Sequence, residues 1–202
     1  MTRLVARAER RPEDGEPPPL KRASPAGRAL VALARRFAPH PKATGVYQAV
    51  GREKLELTGR FAERVLTKGF AGMKATSPVL EYSPYGPFVS LALELDCRGP
   101  FWTLEADALA GGAALQAAVT DLSLGRCERA LVGSCGVDAR AVLLVLEPGE
   151  GFTATFRWRA ERHDAAPDDL HGLRALGDAL ERGQGTVALR TPEGRGLTVQ
   201  LG

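Results

Sequence analysis

Apolar residues recur along this chain in two rhythms, and the rhythm changes at prolines and glycines. Thr2 to Ala8 sets Leu4, Ala6 and Ala8 between polar neighbours, which predicts a strand at a sheet edge. Arg10 to Pro19 is charged and proline-rich and reads as a loop. Ser24-Pro25 then supplies an N-cap and a proline for the first helical position. Leu30, Leu33, Ala34 and Phe37 form the apolar stripe of that helix, and Pro39 and Pro41 stop it. Thr44 to Val50 is rich in β-formers and predicts the next strand, ending at Gly51. Leu57, Phe61, Val65 and Leu66 mark a helix from Glu53 to Lys68. Phe70 to Tyr82 is a loop, and Ser83-Pro84 opens a helical run through Phe88, Leu91, Ala92 and Leu95.

The middle of the chain has a different texture. Gly99-Pro100 makes a turn, Thr103 to Ala106 reads as a short interior strand, and a helix of small residues runs from Ala108 to Leu124. Asp107 is the expected N-cap and Gly125 the expected C′ residue. Glycine costs roughly 1 kcal/mol in a helix interior. The pair Gly111-Gly112 therefore predicts that another element packs closely against this helix. Taken alone, the pattern fits a buried helix in any α/β core.

Beyond it, Glu128 to Gly133 predicts a strand, and the continuous apolar run Ala141 to Leu146 predicts one buried on both faces. Phe152 to Ala160 alternates again. Leu170, Leu173, Leu176, Ala179 and Leu180 give a helix over Asp168 to Arg182. Thr186 to Arg190 and Leu197 to Leu201 flank Pro192-Glu193-Gly194 as a hairpin. No repeat of the first half is visible in this second part.

Composition narrows the function classes. The chain has 202 residues, 44% of them hydrophobic and 25% charged, as expected of a globular domain with a substantial core. The net charge of +3 is small and the basic residues are scattered, so nucleic acid is not an expected partner. No apolar run reaches the ~18 residues of a membrane helix. Arg3, Arg7, Arg10 and Arg11 are not followed by an apolar region, so no secretory signal is expected. Cys97, Cys127 and Cys135 lack metal-ligand spacing and are odd in number, which predicts reduced thiols and a cytoplasmic protein. No dinucleotide or phosphate loop is present, and no metal or cofactor is expected.

The segment from Gly99 to Gly112 resembles the β-ketoacyl synthases of the thiolase superfamily. In that family a Gly-Pro turn leads to a strand ending Thr-Val-Asp-Thr-Ala-Cys and then to a small-residue helix. Here Gly99-Pro100 matches the turn and Thr103-Leu104-Glu105-Ala106-Asp107-Ala108 the strand. Thr44 to Gly51 resembles the family's second strand, and Glu128 to Gly133 a strand ending in paired glycines, the second being Ser134 here. The resemblance implies an α/β fold over residues 1–150: a βαβαβαββ three-layer sandwich of the ketosynthase N-terminal type. Residues 151–202 form a family-divergent strand, helix and hairpin that pack on the same core.

The same resemblance places the family's nucleophilic cysteine at Ala108, whose methyl group cannot form a thioester. Synthases also need histidines for decarboxylation. Of His40, His163 and His171, only His171-Gly172 shares even a dipeptide with those motifs. None of the cysteines is placed at a helix N-terminus that would lower its pKa. The expected function is a non-catalytic, chain-length-factor-like subunit of a type II polyketide or fatty-acyl pathway. Its implied partners are an active ketosynthase or a second copy, with acyl carrier protein as a further one. Phe88, Phe101, Trp102 and Thr103 are the expected interface residues, with Phe101 to Glu105 pairing across the seam. Two other readings stand beside it: an acyl-thioester hydrolase or acyltransferase of altered mechanism, and a homodimeric scaffold.

Overall fold

The computed structural model describes residues 1–17, 20, 23–51, 53–69, 83, 85–136, 138–160, 172–191 and 195–202. The expected loop Phe70–Tyr82, Pro84, His163, the helix start at Asp168–His171 and the turn Pro192–Gly194 lie outside the described residues.

Strands β1 (Thr2–Arg10), β2 (Thr44–Val50), β3 (Phe101–Glu105), β4 (Arg129–Cys135) and β5 (Ala141–Pro148) form one mixed sheet in the order β1-β5-β4-β2-β3. β2, β3 and β4 run parallel, while β5 is antiparallel to both β4 and β1. Helix α1 (Pro25–Arg35) begins where the sequence predicts, with the Ser24 hydroxyl accepting from the Gly27 amide at 3.1 Å. It lies on one face of the sheet beside α3 (Gly86–Glu94). Leu30, Leu33, Phe88, Leu91, Leu131 and Leu143 fill that layer. Between β2 and β3 the chain also makes α2 (Glu53–Lys68), where Phe61 and Val65 are half-buried and Leu66 is exposed.

Helices α4 (Ala110–Ser123) and α5 (Leu173–Glu181) cover the other face of the sheet. Cover on both sides leaves every residue of β2 and most of β5 buried, without the alternation of a strand that faces water. On the far side of α4 and α5 lies a second, antiparallel sheet of β6 (Ala154–Ala160), β8 (Arg195–Leu201) and β7 (Gly185–Arg190), in the order β6-β8-β7. Its inward residues Val187, Leu189, Leu197, Val199 and Leu201 share one core with Leu115, Val132 and Leu144. Thr155, Arg157, Thr186 and Gln200 on its outer face are exposed. The alternation read at Phe152 to Ala160 is this inside–outside division.

The second sheet repeats a topology already present in the first. β1 pairs with β5, the second strand of the β4–β5 hairpin; β6 likewise pairs with β8, the second strand of the β7–β8 hairpin. α4 precedes the first hairpin and α5 the second. The relation is one of backbone path, so no repeat shows in the residues.

Two expectations need correction. β3 was expected in the sheet interior, but among the described strands it lies at the edge, paired with β2 alone. α4 was expected from Ala108 with Asp107 as its N-cap. A 3-10 turn over Asp107–Leu109 comes first, and α4 starts at Ala110 with Leu109 as the cap residue and no side-chain cap. The helix ends as predicted, with Gly125 at φ 67°.

Candidate functional site

In open α/β sheets, ligands bind outside the carboxyl ends of the parallel strands. Here β3 leaves its sheet through Ala106 into the 3-10 turn that carries Ala108, which is 8% exposed. Ser134, near the end of β4, is fully buried, and its hydroxyl has no hydrogen-bond partner among the described residues. The Tyr85 hydroxyl donates to the Glu105 carboxylate at the end of β3.

The Cys97 and Cys127 thiols are not activated. Burial, with Asp96 nearby, pushes the Cys97 thiol up to about 11. Burial also raises Cys127, which lies 3.5 Å from the Tyr47 hydroxyl. Cys135 is buried at the end of β4. His40 is structural: its Nε2 lies 2.9 Å from the Ala34 carbonyl oxygen near the end of α1, and burial lowers its pKa. His163 and His171 lie outside the described residues. Among the described residues no group of His, Cys, Asp and Glu is placed to hold a metal, and no helix is long and apolar enough to cross a membrane.

The expected interface residues divide. Phe101 and Trp102 are 42% and 47% exposed on the edge strand, with half-buried Thr103 beside them. Phe88 is wholly buried between α1 and the sheet, its ring 3.0 Å from where a Cβ on Gly133 would stand. It belongs to the core and is not available to a seam. The Gly111-Gly112 face, against which another element was expected to pack closely, meets the chain's own hairpin at Gly112. A Cβ on Gly112 would lie 2.4 Å from Leu197 Cδ2 and 2.9 Å from Leu189 Cδ1.

The residue that organises the edge went unpredicted. Asp121 on α4 is 3% exposed. Its Oδ2 accepts from the Tyr47 hydroxyl and the Trp102 indole N–H, each at 3.0 Å, and its Oδ1 from Arg126 Nη1 at 3.0 Å. Burial, together with Cys127 and Asp121, raises the Tyr47 pKa, so the phenol stays a donor. A buried carboxylate persists only when paired and hydrogen-bonded. Here β2, β3 and the turn after α4 supply those partners and fix the Trp102 ring at the sheet edge. The available signal was an acid beside Ala118 and Leu122 in the buried stripe of α4.

No family model and no curated protein sequence matches the chain. Solved structures do match it. One is a type II PKS acyl-carrier protein in complex with its ketosynthase bound to the hexaketide (AntDE:AntF), with TM-score 0.61 and 13% identity over 89% of this chain and 82% of the other. The ishigamide ketosynthase/chain length factor gives TM-score 0.67 and 15% identity over 90% and 81%. The ketosynthase ApeO in complex with its chain length factor ApeC from Xenorhabdus doucetiae gives 0.58 and 16% over 89% and 79%. Coverage this even means that the matched chains are only slightly longer than this one. The fold is therefore the thiolase-like α/β fold of ketosynthase and chain length factor proteins.

Proposed function

We propose that this chain is a non-catalytic, chain-length-factor-like subunit that pairs with an active ketosynthase in a type II polyketide or fatty-acyl pathway. The observation that carries the reading is Ala108. The position where the synthase motif puts its nucleophile holds a methyl group, packed into the turn before α4 and 8% exposed. The thiols at Cys97, Cys127 and Cys135 lie elsewhere, and those of Cys97 and Cys127 are raised by burial. Condensation needs a thiolate to accept the acyl group, so the acylated partner is the other subunit. The edge strand β3, with Phe101 and Trp102 half-exposed, is the surface proposed to meet it. The solved neighbours support this reading, since two of the three are described as a ketosynthase with its chain length factor.

The test mixes the purified chain with the ketosynthase of the same host and an acyl donor, and follows assembly and intact mass. The expected result is a complex in which only the ketosynthase gains the acyl group. A stoichiometric acyl adduct on Cys97, Cys127 or Cys135 would overturn the non-catalytic reading.

A further inference from the structure

The chain contains two tryptophans, and both flank the same helix. Trp102, on β3 of the first sheet, donates its indole N–H to Asp121 at 3.0 Å. Trp158, on β6 of the second sheet, donates to Gln116 Oε1 at 3.0 Å. They are 47% and 50% exposed. At about 100° per residue, positions 116 and 121 lie some 140° apart around α4. The helix positions between them on the outward side are Ala113, Ala117, Thr120 and Leu124. The first two are half-buried, and the last two are exposed. One side of the molecule is thus a shallow trough with a floor of mainly small, uncharged side chains, one indole on each wall, and the Asp121–Arg126 ion pair beside Trp102.

Each indole has its polar group satisfied inside the chain while much of its ring remains in water. Held in this way, the rings lose little freedom on binding, and Trp is a residue type that dominates interface energetics. The trough is continuous with β3, the last strand of its sheet among the described residues.

We infer that Trp158 is a second anchor of the partner interface, which therefore runs from β3 across α4 to β6, and that its occupant is the ketosynthase subunit. The inference rests on the proposed pairing and extends it into residues 151–202. The floor positions Ala113, Ala117, Thr120 and Leu124 carry no charge and suit an apolar partner face, and continuity with β3 makes the trough part of the same interface.

The test uses the full chain labelled with 5-fluorotryptophan, giving two fluorine resonances assigned with Trp102→Phe, titrated with unlabelled ketosynthase of the same host. Both resonances should shift together, and Trp158→Ala should weaken the complex by roughly tenfold or more. A complex that moves only the Trp102 resonance overturns the inference and leaves the pairing intact. The same holds for a complex indifferent to Trp158→Ala. A chain that binds no ketosynthase overturns the pairing itself. If the two resonances move with the chain's own concentration and not with ketosynthase, the occupant is a second copy and the assignment is wrong. The labelled wild-type arm needs no variant to fold.

Discussion

Gly112 of the central helix and Leu197 of the last strand are packed so closely that a Cβ on the glycine would stand 2.4 Å from the leucine Cδ2. Gly112→Val therefore forces carbon into a filled contact between α4 and the second sheet, and overpacking of this kind costs about 1–3 kcal/mol. A lower urea midpoint with an unchanged slope is the expected result. An unshifted midpoint would mean that the hairpin does not cover this helix in solution.

Asp121 should matter more than an ordinary surface acid. Asp121→Ala leaves the Tyr47 hydroxyl and the Trp102 indole N–H without their acceptor, and a buried polar group left unsatisfied costs about 1–3 kcal/mol. Asp121→Asn keeps one oxygen for them and should cost less. Thermal melts and the Trp102 emission maximum read the two effects separately.

Arg7 ties the first strand to the last helix, pairing with Glu9, Asp178 and Glu181, although its side chain is only 13% exposed. Arg7→Met should loosen α5 before the rest of the core. Amide exchange would then rise over 173–181 and stay unchanged in β4. Uniform protection would argue against the tie.

Stability should fall on the acid side through Glu147. Burial pushes its carboxyl up, but hydrogen bonds from Arg3 and Arg129 outweigh that and hold it below its ordinary value. A depressed folded pKa gives stability that is present above the unfolded value and lost as pH falls through the folded one. Glu147→Gln should therefore flatten the acid limb of a stability-against-pH curve and leave its shape above neutrality unchanged.

Much of this architecture was legible because its signals are local. Ser24-Pro25 announced α1, alternation announced β1 and β6, and an unbroken apolar run announced β5. What stayed hidden depends on contacts distant in sequence. Phe88 looks no different from Phe101 as a sequence position, yet one fills the layer under α1 and the other stands at a sheet edge. The edge position of β3 follows from strand order, which no window of residues encodes. Asp121 could have been noticed as a charge in an apolar stripe, but its partners Tyr47 and Trp102 are 74 and 19 residues away.

The strand order also fixes where the second sheet can grow. In the first sheet, β2 and β3 are the two outermost strands at one edge, next to β4. The corresponding positions in the second sheet lie beyond β7, its outermost strand on that side among the described residues. The three strands β6-β8-β7 are hydrogen-bonded without a gap, so their ladder is complete as it stands. Thr186 and Ala188 of β7 are exposed, so that rim tolerates water. A strand added at that rim is accordingly the insertion this fold should accept most readily.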